Sequence, residues 1–205
     1  LKEEALRQLN AETPLQLSAF ADFDLSFYSD TPNKNGHSAR SIMENIFLYC
    51  RNYAENFDVK TSESLLMTGK TGVGKTHLSL AIASRIIERG YGVLYGSAEN
   101  LLTKLQDEHF GRSSNDTMKS LLDCDLLILD DLGTEFRSNF TISAIYNIIN
   151  SRQLTRKPVI ISTNLSIKEL EQSYTERFSS RIIGGYTRLP FCGNDIRQLK
   201  RIRNS

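Results

Sequence analysis

The run Gly69-Lys70-Thr71-Gly72-Val73-Gly74-Lys75-Thr76 sets three glycines, a lysine and a hydroxyl in the spacing GxxxxGK[ST]. Those residue types in that order suit one kind of ligand, a nucleotide polyphosphate. The glycines permit backbone angles that side chains forbid, so successive N–H groups can turn inward around phosphate oxygens. Lys75 offers a point charge to the β- and γ-phosphates, and Thr76 a hydroxyl to Mg²⁺. Gly69, Thr71, Gly72, Val73, Gly74, Lys75, Thr76 and His77 are the expected nucleotide-binding set. Lys75 is expected to be exposed before nucleotide arrives, so that its loss would spare the fold.

A second cluster follows about fifty residues on. Asp125-Leu126-Leu127-Ile128-Leu129-Asp130-Asp131-Leu132-Gly133 reads as a strand buried on both faces that delivers two carboxylates at its carboxyl end, a Walker B pattern. Asp130 is expected to hold Mg²⁺ and Asp131 to polarise the attacking water. The bland alternative, a solvated acidic turn, loses force beside a phosphate loop. Glu135 is a weaker candidate for the water.

Three further polar positions gain roles from their places. Asn164 closes the apolar run Pro158-Val159-Ile160-Ile161-Ser162-Thr163, where its amide could reach between the γ-phosphate and the water; a helix-capping Asn is the alternative. Arg177 and Arg181, four apart, share one helix face and could project toward the γ-phosphate of a neighbouring subunit, or form surface salt bridges. Arg197 could fold over the phosphates or belong to the basic tail with Lys200, Arg201 and Arg203.

These groups need a scaffold, and the hydrophobic pattern supplies one. Strand signals at Leu65-Leu66-Met67, Val93-Leu94-Tyr95-Gly96, Leu126 to Leu129, Pro158 to Asn164 and Tyr186 to Phe191 alternate with helical periodicity. The helices are expected near Ser38 to Phe57 with Ser38 as cap, after Lys75, at Ala98 to Phe110, Thr117 to Leu122, Phe140 to Leu154, Ile167 to Gln172 and Glu176 to Ile183. Leu1 to about Leu17 reads as a linker or helix end. The alternation argues an α/β fold, a parallel sheet sandwiched by helices.

Composition agrees with one domain. At 205 residues and 40% hydrophobic, the chain can bury a full core without disulfides or metal. A formal charge of +1 gives no global pull toward nucleic acid. Cys50, Cys124 and Cys192 are scattered and read as reduced thiols. No apolar run is long enough to span a bilayer and no signal peptide is visible, so a cytoplasmic protein without membrane contact is expected.

Thr71-Gly72-Val73-Gly74-Lys75-Thr76-His77-Leu78, Leu129-Asp130-Asp131-Leu132-Gly133, Ser162-Thr163-Asn164-Leu165 and Phe178-Ser179-Ser180-Arg181-Ile182 resemble the AAA+ P-loop ATPases, and within them the bacterial DnaC/DnaI helicase loaders and related IstB transposition helpers. The resemblance covers about residues 20 to 200. It implies an ATPase using ATP and Mg²⁺ that helps place the replicative helicase hexamer on single-stranded DNA and self-assembles with ATP. Assistance to a transposase, or a nucleotide-switched interaction module with little turnover, are the other readings. Carried over by position, Lys75, Thr76, Asp130 and Asp131 keep the roles above. Asn164 becomes sensor 1, Arg181 the favoured arginine finger with Arg177 beside it, and Arg197 sensor 2.

Departures from the family pattern matter. Asp131 stands where many AAA+ proteins carry Glu, one methylene longer, so slow hydrolysis stimulated by assembly or DNA is expected. Few residues follow the last strand, so the C-terminal lid is expected to be largely absent. Residues 1–20 are expected to be a linker or the end of a removed N-terminal, helicase-binding domain, and 21–205 the ATPase domain. The resemblance also implies a DNA path along Glu99 to Leu122, with Lys104, Arg112 and Lys119 for phosphates and Phe110 for stacking, against the alternative of an ordinary amphipathic helix and loop. Preference for adenine is likewise implied by family, with Phe23 to Tyr28 the expected place for the base.

Overall fold

The computed structural model describes residues 17–113 and 116–203. Of the expected linker over residues 1–20, residues 1–16 lie outside them. Two single-turn 3₁₀ helices, Phe20–Asp22 and Leu25–Phe27, precede α1 (Ala39–Glu55). The chain continues through β1 (Ser64–Thr68), α2 (Lys75–Glu88), β2 (Val93–Ser97), α3 (Ala98–His109), α4 (Thr117–Asp123), β3 (Leu126–Leu132), α5 (Asn139–Leu154), β4 (Val159–Thr163), α6 (Ile167–Ser173), α7 (Glu176–Gly185), β5 (Tyr186–Pro190) and α8 (Ile196–Arg203). The strand order is β2-β3-β4-β1-β5, and every pairing is parallel.

Each short apolar run feeds two cores, because successive residues of a strand point to opposite faces. Leu65, Met67, Leu126, Ile128 and Ile160 pack with Met43 and Ile46 of α1 and Leu78, Ile82 and Ile86 of α2. Leu66, Leu127, Leu129, Val159 and Ile161 pack with Leu101 and Leu105 of α3, Ile145, Ile148 and Ile149 of α5, and Phe178 and Ile182 of α7. Burial on both faces is why these strands read as continuous hydrophobic runs rather than alternating ones.

Side-chain caps set the helix starts. The Ser38 hydroxyl accepts from Ser41 N at 3.1 Å, as the sequence anticipates, while Ser138 and Ser166 close capping boxes with Thr141 and Glu169. The 3₁₀ turns escape the periodicity reading because they are only three residues long.

At the foot of the sheet lies Arg152, fully buried on α5. Its Nη1 donates to Leu121 O at 2.7 Å and Cys124 O at 3.0 Å, and its Nη2 to Pro158 O at 2.9 Å. The guanidinium thus meets the negative end of α4 and ties the starts of β3 and β4 together. Arg152→Met leaves these carbonyls without their donor and is expected to cost about 3–5 kcal/mol in urea unfolding. A loss below about 1 kcal/mol would show that the network is dispensable.

Candidate functional site

The strand order decides what meets what. Because β4 lies between β1 and β3, Asn164 at its end emerges between the phosphate loop and the two acids. All three sit at the carboxyl edge of the parallel sheet, the acids within the last residues of β3 and the loop and Asn164 just past β1 and β4, where open α/β sheets bind ligands.

The loop leads straight into α2, whose N-cap is Gly74 at φ 98°. A side chain there would collide with Phe23 Cε2 at 2.8 Å and the Tyr28 hydroxyl at 2.9 Å, so glycine is required by space as well as by φ. Gly72 (φ 78°) is pressed against the Asp195 carboxylate in the same way. Val73 is buried in the core and its carbonyl accepts from Tyr28 OH at 2.9 Å, which pins the loop to the segment before α1. Gly69 is at the loop base, with its N–H on Thr163 O at 3.3 Å.

Lys75 corrects the expectation of an exposed lysine. Only 5% exposed, it donates to Gly69 O (2.7 Å), Lys70 O (2.8 Å) and Asn164 Oδ1 (2.7 Å). Burial draws its pKa down, while Asp131 and Asp130 oppose that shift. Lys75→Ala is therefore expected to lower stability as well as weakening nucleotide binding about 10- to 100-fold, the worth of a charge-assisted contact. Titration with a fluorescent ATP analogue alongside a thermal melt checks both, and equal affinity in the two proteins would refute the phosphate-loop assignment. Asn164 is not a cap; Ser166 caps α6.

Asp130 is 4% exposed, and three hydroxyls converge on it. Thr76 Oγ1 (2.9 Å) and Tyr95 OH (2.7 Å) donate to its Oδ2, and Ser162 Oγ donates to its Oδ1. Adjacent oxygens from Thr76 and Asp130 fit Mg²⁺, which takes few protein ligands and completes its shell with phosphate and water. Asp131 lies half-buried in the cavity wall with φ 53°, at a point where the β3–β4 register breaks between Leu129 and Leu132. Burial and the neighbouring Asp130 raise its pKa, against Lys75 and Arg197, which lower it. Glu135 is occupied elsewhere, accepting from Tyr174 OH and Gly133 N.

Lys75, Thr76, Asp131 and Asn164 line a cavity of about 210 Å³ together with Thr71, His77, Phe23, Phe27, Ile196, Arg197 and Lys200, with Asp130 just behind Thr76. The expected base segment is in its wall. The His77 ring packs 5.4 Å from Phe23. Ile196 N bonds Gly72 O at 2.9 Å, which brings the start of α8 onto the phosphate loop and Arg197 to the cavity; Arg203 stacks on Phe27 at 5.3 Å.

Arg177 and Arg181 lie outside this cavity. Among the described residues neither has a carboxylate partner. Arg181 Nε donates to Asn150 Oδ1 at 3.0 Å and its guanidinium covers the Tyr146 ring at 5.0 Å, while Arg177 borders a groove with Ile142, Tyr146 and Asn147. The DNA set is not brought together. Lys104 Nζ is buried, which removes it from any surface path, and Arg112 pairs with Asp107 at 3.4 Å above the Phe110 ring. Lys119 is exposed on α4.

Sequence reasoning missed Tyr95, Ser162, Tyr146, Asn150 and Asp195. Ser162 had a weak signal, a polar group near the carboxyl end of a core strand; the others had none.

Comparison with known proteins agrees with this geometry. The chain is 29% identical over 134 residues to the replicative helicase loader DnaC of Escherichia coli K12, covering 64% of this chain and 54% of that protein. To DnaC of Buchnera aphidicola subsp. Baizongia pistaciae it is 26% identical over 186 residues, covering 89% and 75%. The chain spans about half the length of the first of these relatives. The crystal structure of a DnaC helicase loader superposes with a TM-score of 0.72 at 24% identity, over 87% of this chain and 98% of that one, so the fold is that of the AAA+ P-loop NTPases. No helix of the described residues is long and apolar enough to cross a membrane. With the phosphate loop, Asp130 and Asn164 gathered at one sheet edge, and residues 6–183 matching the family described as IstB-like ATP binding protein, the chain belongs to the IstB-like ATP-binding proteins.

Proposed function

We propose that this protein is an ATPase that helps load the replicative helicase onto single-stranded DNA, with ATP governing engagement and release. The observation that supports it best is the convergence of Lys75, Asn164, Asp131 and the Thr76–Asp130 pair on one cavity, in a chain similar to DnaC.

The chemistry follows from these side chains. The loop amides and the start of α2 bind the phosphates, and Lys75 exchanges its backbone acceptors for phosphate oxygens. Thr76 and Asp130 would hold Mg²⁺, which supplies positive charge to the phosphates when bound. Asp131, ionised above its raised pKa, accepts a proton from the attacking water, and the Asn164 amide orients that water against the γ-phosphate. Arg197 adds charge from α8. Arg181, with Arg177 beside it, completes the site of the next subunit in an ATP-dependent assembly. A carboxylate one methylene short of Glu suits slow turnover that assembly or DNA stimulates. Arg112 and Lys119 remain the proposed phosphate contacts on the DNA side, with Phe110, 59% exposed, available for stacking.

Affinity purification from the native cell with ATP present tests the partner. Recovery of the replicative helicase supports loading. Recovery of a transposase without helicase overturns it in favour of transposition assistance.

A further inference from the structure

β4 ends in two hydroxyl residues after three apolar ones, and both hydroxyls are spent on the irregular end of β3. Ser162 Oγ donates to Asp130 Oδ1 and accepts from Asp131 N at 2.9 Å. Thr163 Oγ1 donates to Leu132 O at 2.6 Å. These side chains replace the ladder bonds that the register break between Leu129 and Leu132 removes. The break turns Asp131 to φ 53°, a left-handed conformation that costs an ordinary residue about 1–3 kcal/mol and persists only when its surroundings enforce it.

Ser162 is fully buried and cannot contact nucleotide. Yet its one hydroxyl uses its proton on the first acid and a lone pair on the backbone of the second. We infer that Ser162 is a positioning residue for ATP hydrolysis, its hydroxyl linking the Asp130 carboxylate to the Asp131 amide so that the metal-side acid and the water-side acid are set together. This rests on the ATPase reading above. Tyr95 OH holds the other oxygen of Asp130, so when Thr76 turns toward Mg²⁺ the carboxylate is still held at both oxygens.

Ser162→Ala keeps the strand and loses both bonds. Its kcat is expected to fall about tenfold or more, with KM for ATP within about threefold because the phosphate loop is untouched. The Mg²⁺ concentration that half-saturates binding of a non-hydrolysable ATP analogue is expected to rise about threefold or more, since Asp130 loses its orientation. In an Asp131→Asn background the same change should lower kcat little further, as expected for residues acting as one unit.

Unchanged kcat together with an unchanged Mg²⁺ requirement would overturn the assignment, as would a kcat loss that adds fully to that of Asp131→Asn. If the unsubstituted protein turns over no ATP, the ATPase reading falls separately. The Mg²⁺ titration then decides alone, a raised requirement supporting the link and an unchanged one overturning it. Should Ser162→Ala fail to fold, Ser162→Cys, a weaker donor of similar shape, is expected to raise the Mg²⁺ requirement in the same direction.

Discussion

Arg181→Ala should lower assembly-dependent ATP turnover about 10³-fold or more, the usual worth of an arginine acting from a neighbouring subunit, while each subunit still binds nucleotide normally. Arg181 is absent from its own cavity wall and lies on α7 against Tyr146 and Asn150 of α5, so its truncation leaves that cavity intact. Turnover measured against concentration should rise more steeply than linearly in the unsubstituted protein and lose that curvature in the variant. Mixing the variant with Asp131→Asn subunits, which keep the arginine and the phosphate loop but turn over little ATP themselves, should restore activity. Failure of the mixture would show that Arg181 does not act in trans.

Asp131→Asn should reduce kcat about 10²- to 10⁴-fold, because an amide cannot take the proton of the attacking water. The same substitution should stabilise the fold by about 1 kcal/mol at neutral pH, since Asn tolerates φ 53° better than most residues and brings no second charge beside Asp130. The pH dependence has a definite sign. A carboxylate whose pKa is raised on folding favours the folded state below its unfolded pKa and loses that contribution as pH rises through the folded value. The stability gap between variant and parent should therefore widen as pH rises from below the ordinary carboxylate range toward neutrality. Urea unfolding at acidic and neutral pH measures it, and a gap that narrows would contradict the raised pKa.

Much of this site was legible in order. A phosphate loop is a local motif, and its glycines, lysine and threonine do their work within eight residues. Core strands announce themselves as apolar runs, and Asp130, Asp131 and Asn164 were found because they end such runs. Lys75 was misjudged because its acceptors include Asn164, 89 residues away, whose approach depends on β4 pairing with β1. Lys104 was misjudged because helical periodicity names a face but not the direction of one long side chain.

By itself the sequence determined that the protein has an α/β sheet with a nucleotide loop and two acids at strand ends, because those features are encoded in short contiguous segments. The tertiary structure alone decided that a serine of β4 and a tyrosine of β2 grip Asp130, that α8 folds back onto Gly72, and that Arg181 leans on α5 outside the cavity. Each of those contacts joins elements brought together by strand order and crossover, and no local spacing carries that information.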